Sequence, residues 1–124
     1  PYARFDRIIS YPKPKQQPHP PIILGAATPY GRKRVVEFCD GWFPIDVLLK
    51  DLPDGMADLR EKAKAAGRDP ASIPVSIFAF EAGPDELVQY RDLGVDRVAV
   101  LVPRRKEDVM PFLDKLAPVV ARLA

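Results

Sequence analysis

The chain is poor in the side chains that do chemistry unaided. It has one cysteine, Cys39, and one histidine, His19, in 124 residues. A lone cysteine closes no internal disulfide, which points to a reducing compartment. His19 lies between prolines, and neither a second histidine nor a nearby cysteine completes a metal set. We therefore expect no metal, no Ser-His-Asp set, no Cys-His pair and no Walker loop. No apolar run approaches the ~18 residues of a membrane span, and Pro1-Tyr2-Ala3-Arg4 carries no signal-peptide core. Charge of one sign is not massed either. Nineteen basic residues are interleaved with 17 acidic ones, for a net charge of +2 and a pI near 8.9. That balance argues against a nucleic-acid partner. The expectation is a soluble cytoplasmic protein that binds neither nucleic acid nor membrane.

What the chain has in excess is proline, 15 residues in all, within an ordinary 47% hydrophobic composition. Its length suits one domain with a real core. Prolines mark sharp element boundaries. Residues 1–21 show little periodicity, and the run from Tyr11 to Pro21 must be extended, because proline disfavours α at the preceding residue. We read 1–21 as a proline-rich lead-in and 22–124 as the domain.

The organising stretch is Pro20-Pro21-Ile22-Ile23-Leu24-Gly25-Ala26-Ala27-Thr28-Pro29. A short apolar strand, about Ile22–Leu24, runs into small residues. Thr28 can then cap a helix with Pro29 as its first residue, where a missing N–H costs nothing. A helix start behind a small-residue turn is a natural anion site. The same smallness would also serve close packing of helix on strand. The helix is expected from Pro29 to Cys39, with Val35, Val36 and Cys39 on one face. Arg32, Lys33 and Arg34 crowd its early turns against the macrodipole, which either bends them into water or calls for a bound anion.

Three more units follow. Asp40 to Pro44 reads as a second strand, with Trp42 as core or pocket wall. Residues 45–53 form an apolar connection with room for one helical turn. Met56, Leu59, Ala63 and Ala66 predict a helix from Asp54 to Ala66, stopped by Gly67. Val75–Phe80 predicts a strand buried on both faces, as parallel strands are. Glu81 follows it, then a helix from Pro84 that Gly94 stops after Leu93. Arg97–Val102 is a fourth, nearly apolar strand, followed by Pro103, Arg104, Arg105 and Lys106. A last helix over 107–123 carries the stripe Val109, Phe112, Leu113, Leu116, Val120 and Leu123, interrupted by Pro118. Four βα units predict an α/β fold with parallel strands and right-handed crossovers. The pattern alone does not separate an open sheet from part of a (β/α)₈ barrel, which takes about 250 residues.

Several segments, taken in order, resemble the luciferase-like monooxygenase superfamily, and within it the deazaflavin (coenzyme F-420)-dependent oxidoreductases. They are Pro12-Lys13-Pro14 with Gln17-Pro18-His19-Pro20-Pro21-Ile22, Asp40-Gly41-Trp42, Gly67-Arg68-Asp69-Pro70, Gly94-Val95-Asp96-Arg97 and Leu113-Asp114-Lys115-Leu116-Ala117. The resemblance implies the C-terminal half of a (β/α)₈ barrel, strands five to eight, preceded by the tail of the barrel's long insertion. It implies hydride transfer between a deazaflavin coenzyme F-420 or FMN and a small organic substrate. It places Gly25, Ala26, Ala27 and Thr28 at the cofactor phosphate, where the family usually has a Gly-Gly pair, with Trp42 lining the pocket. The turns that face the site in a barrel also hold Glu81, Arg104 and Arg105, which could contact an anion or substrate. Strands one to four have no counterpart, so the chain is expected to be catalytically incomplete alone. A half-barrel would expose sheet edges and an apolar face, which predicts a twofold homodimer or a partner supplying the missing half. The other reading is a non-catalytic module derived from the fold, for binding or assembly.

Overall fold

A computed structural model describes residues 4–45, 52–80 and 82–123. Residues 4–21 are exposed throughout and form neither helix nor strand. Strand β1 (Ile23–Leu24) then leads to helix α1 (Pro29–Phe38) and strand β2 (Gly41–Trp42). Helix α2 (Leu52–Ala65) is followed by a single 3₁₀ turn (Pro70–Ser72) and strand β3 (Ser76–Ala79). Helix α3 (Pro84–Leu93), strand β4 (Arg97–Val100) and helix α4 (Lys106–Leu123) complete the order.

The chain is thus α/β, with four helices and short parallel strand pairs. β1 pairs with β2, Ile23 opposite Gly41, and β3 pairs with β4, Ser76 opposite Arg97. Two parallel bridges, Trp42 to Val75 and Ile45 to Phe78, set β2 beside β3. The Trp42 N–H donates to Pro74 O at 3.0 Å and the Phe78 N–H to Pro44 O at 3.0 Å. The four strands therefore lie side by side in sequence order. Each is shorter than its apolar run, because the flanking residues lack regular partners on both sides.

The two halves repeat one construction. α1 and α3 each span 10 residues and each begin on proline. Ahead of β2, Asp40 accepts the Ile22 N–H on its carboxylate at 2.7 Å while its own N–H donates to Ile22 O. Ahead of β4, Asp96 does the same with Val75, again at 2.7 Å. Ile22 and Val75 each follow a proline, Pro21 and Pro74. In both units an aspartate clips the start of one strand to the start of the next.

The core lies between the sheet and the helices. Leu52, Met56, Leu59 and Ala63 recur at helical spacing on α2 and are buried against Val35, Val36, Trp42 and Ile77. Each large apolar side chain so buried contributes about 1.5–3 kcal/mol. The expected segment Gly67 to Pro70 proves to be a clip. Gly67 takes φ +70° and ends α2. The Arg68 guanidinium donates to the carbonyls of Val36 (3.1 Å) and Cys39 (2.7 Å) at the C-terminus of α1, where a cation is favoured. Asp69 caps the 3₁₀ turn through the Ala71 N–H.

Two expectations need correction. The run Val75–Phe80 is not buried on both faces throughout: Val75 to Ile77 and Ala79 are buried, but Phe78 is half-buried and Phe80 is 46% exposed. On α4 the buried residues are Leu116 and Val119, while Val120 is 54% exposed, so the stripe meets α3 along a narrower line than its periodicity suggests. As expected, α4 reaches Leu123 with Pro118 inside it. The expected turn of helix in 45–53 falls mostly on residues outside those described, and so does Glu81.

Candidate functional site

The site grows out of the turn between β1 and α1. The Thr28 hydroxyl accepts the Gly31 N–H at 3.1 Å, and Pro29 opens the helix, as the residue types require. Gly31 is buried, and a Cβ there would meet the Ala26 Cβ at 2.4 Å. The helix therefore sits directly on the turn.

Two side chains fix the turn's direction. The Trp42 indole N–H donates to Ala26 O at 2.7 Å, and Arg32 Nη1 donates to Ala27 O at 2.7 Å. The peptide bonds here are trans. In a trans peptide the carbonyl and the following N–H point in opposite directions. The N–H groups of Ala27 and Thr28 consequently face away from Trp42 and Arg32, and no hydrogen bond to either forms among the described residues. A cavity of about 160 Å³ beside the turn is lined by Gly25, Ala26, Ala27, Phe43, Pro44 and Ile45. A Cβ on Gly25 would lie 3.4 Å from Phe43 O, at ordinary contact distance on the cavity wall.

Trp42 itself is 2% exposed and packs between α1 and α2. Its ring lies 3.0 Å from where a Gly55 Cβ would stand, with the Arg32 guanidinium 6.0 Å from the ring centroid. It buttresses the turn from behind. The basic cluster on α1 is also partnered. Arg32 donates to Asp58 on α2 at 2.5 Å, Lys33 pairs with Glu37 at 3.6 Å, and Arg34 lies over the Phe38 ring. The expected mismatch with the helix dipole is thus met inside the protein. Burial alone would raise the Asp58 pKa, but hydrogen bonds from Lys62 and Arg32 and their charges outweigh it and hold the carboxyl below its usual range. Burial pushes the Cys39 thiol above its ordinary value.

A second cavity, about 610 Å³ and open, lies at the C-terminal ends of β3 and β4. Phe80, Leu101, Arg104, Phe112 and Lys115 are among its walls. Arg104 therefore reaches a cavity, whereas Arg105 is exposed and does not line it. The two cavities share no lining residue, so within one chain Arg104 does not join the Gly25–Thr28 turn. Sequence reading missed Arg32 as the residue that orients Ala27, and Lys115 and Glu86 as cavity walls. Arg32 had one visible signal, an arginine three residues past a proline-started helix. Between the cavities the helix-free face of the sheet carries an aromatic row, with Phe43 edge-on to Phe78 and Phe78 edge-on to Phe80.

Four helices packed on short parallel strand pairs define an α/β protein. The sequence signature of the luciferase-like monooxygenase family matches residues 1–92, and the chain belongs to that family. Uncharacterized proteins of Mycobacterium tuberculosis and Mycobacterium bovis are 33% identical to it over 126 residues. The match takes in 97% of this chain but 42% of either relative, so the chain spans under half the length of the curated relatives it matches. Among the described residues, no helix is long and apolar enough to cross a membrane.

Proposed function

We propose that the chain is the C-terminal half of a (β/α)₈ barrel in a flavin- or deazaflavin-dependent oxidoreductase, and that its β1–α1 turn holds the cofactor phosphate. One observation carries this reading. Trp42 and Arg32 pull two successive carbonyls inward, which presents the N–H groups of Ala27 and Thr28 at a helix N-terminus beside a cavity. Family membership supports it, and the strand order 1-2-3-4 is what half a barrel requires.

The residues present fit a phosphate. Gly25 and two alanines let an anion approach the backbone, and the positive end of α1 favours its charge. Thr28 is committed to capping, so it holds the helix start in place. Bound there, FMN or the deazaflavin coenzyme F-420 would supply hydride-transfer chemistry toward a small organic substrate. This chain's residues bind and orient the phosphate end. Arg104 and Lys115, on the second cavity, would hold an acidic substrate group.

The test is a fluorescence titration of the chain with FMN and with the deazaflavin coenzyme. Saturable binding in the micromolar range, lost in Gly25→Trp, is the expected result. Absence of binding by both at hundreds of micromolar would refute the cofactor role and leave a non-catalytic binding or assembly module.

A further inference from the structure

Arg32 sits in the first turn of α1, and its side chain is only 11% exposed. It makes two hydrogen bonds. Nη1 donates to Ala27 O at 2.7 Å, and Nε donates to Asp58 Oδ2 at 2.5 Å. A guanidinium is planar, with its N–H groups at fixed angles. Fixing Nε therefore fixes the direction in which Nη1 points. Asp58 is held in turn by Lys62, one helical turn further along α2, which donates to its Oδ1. Each carboxylate oxygen thus faces one cation. A relay runs from Lys62 through Asp58 and Arg32 to the Ala27 carbonyl.

α2 is the firm end of this relay, since its 14 residues bury Met56, Leu59 and Ala63 in the core. Ala27 and Thr28 are exposed and bring little packing of their own. Each peptide of the turn has a separate holder. Trp42 takes Ala26 O and so directs the Ala27 N–H, while Arg32 takes Ala27 O and so directs the Thr28 N–H.

The architecture does not require this ion pair. α3 repeats the construction of α1, beginning on Pro84 as α1 begins on Pro29. Three residues on, where α1 has Arg32, α3 has the buried Leu87. A largely buried ion pair is in general no more stabilising than apolar residues of similar volume. The two helix starts also differ in charge. α3 carries Asp85 and Glu86 in its first turn, whereas the first turn of α1 has no acid.

We propose, resting on the reading of this turn as a phosphate site, that Asp58 is a positioning residue for it. Asp58 is not among the residues that line the cavity beside the turn. It acts through Arg32: it aims the guanidinium at Ala27 O, which turns the Thr28 N–H the other way, toward an incoming anion. A purely electrostatic role would have the opposite sign. Asp58 offsets the charge of Arg32, so through charge alone its loss would strengthen anion binding. Loss of aim weakens it.

The test compares Asp58→Ala and Asp58→Asn with the parent by NMR, first without ligand and then with FMN. Asparagine keeps an acceptor oxygen for Arg32 Nε and serves as the conservative rescue. Without ligand, Asp58→Ala is expected to move the Ala27 carbonyl carbon upfield as its donor is lost. The Ala26 carbonyl carbon, held by Trp42, stays in place, and Asp58→Asn moves neither. Asp58→Ala is expected to bind FMN about tenfold more weakly, the scale of one lost hydrogen bond to a charged group. Its Thr28 amide loses the response to FMN that its Ala27 amide keeps. Asp58→Asn is expected to bind FMN at least as tightly as the parent. An Ala27 carbonyl carbon that Asp58→Ala leaves unmoved overturns the proposal. So does FMN affinity in folded Asp58→Ala that equals or exceeds the parent's, or an Asp58→Asn that matches Asp58→Ala. If Asp58→Ala fails to fold, Asp58→Ser, whose hydroxyl stops one bond short of Arg32, is judged by the same criteria. A parent that binds no FMN refutes the phosphate reading alone, and the ligand-free carbonyl shifts then decide whether Asp58 aims the turn.

Discussion

Replacing Trp42 with phenylalanine tests how the turn is held. The substitution keeps an aromatic ring in the core but deletes the N–H that reaches Ala26 O at 2.7 Å. Leaving that half-buried carbonyl without its donor costs about 1–2 kcal/mol. The smaller ring also leaves space beside Gly55, where the indole now lies within contact distance, and such a cavity costs about another 1–2 kcal/mol. The sum, about 2–4 kcal/mol, is a large share of the ~5–15 kcal/mol that keeps a domain folded. Urea unfolding followed by circular dichroism reads it directly. With its carbonyl released, the Ala26–Ala27 peptide is free to rotate, and FMN affinity should fall about tenfold, equivalent to about 1.4 kcal/mol. A stability loss below about 0.5 kcal/mol, within the range of ordinary surface changes, with unchanged affinity would refute the claim that Trp42 orients the turn.

Two further predictions follow from contacts in the same region. Gly31→Ala puts a methyl group 2.4 Å from the Ala26 Cβ and should cost about 1–3 kcal/mol, while adding Ala26→Gly should restore stability to within about 0.5 kcal/mol of Ala26→Gly alone; failure of that rescue in urea melts would place the strain elsewhere. Asp58 has its folded pKa lowered by Lys62 and Arg32, so the ionised pair stabilises fully above its unfolded value of about 3.9 and the benefit is lost as pH falls through the lower folded value. The urea midpoint of the parent should therefore exceed that of Asp58→Asn at pH 6 and converge on it in strong acid, whereas a constant gap across pH would contradict the pairing.

Much of the architecture was legible in the sequence because proline, glycine and capping residues mark element starts and stops locally. Pro29 and Pro84 open α1 and α3, and Thr28 caps α1. Gly94, at φ +85°, stops α3 where expected. Strand lengths were not legible, since pairing needs a neighbour and β1 and β4 have one each. Nor was the facing of α4, where Leu116 and Val119 rather than Val120 meet the core, because α3 covers only part of the apolar stripe. At the site, Gly25 to Thr28 announced themselves as a small-residue turn. The devices that aim it did not. Trp42 and Arg32 bond to backbone carbonyls of residues distant in sequence or across the helix start, and side-chain-to-backbone bonds of that kind leave no spacing pattern. Arg32 in particular looked like a misplaced charge until Asp58 and Ala27 O accounted for it.

The most direct test of the central claim is amide chemical-shift mapping by NMR with FMN and, in parallel, riboflavin, which lacks the phosphate. If the turn holds phosphate, FMN shifts the Ala27 and Thr28 amides strongly downfield as their N–H groups gain an acceptor, while riboflavin leaves both unmoved. Equal shifts with the two ligands, or none with FMN at saturation, would contradict the account.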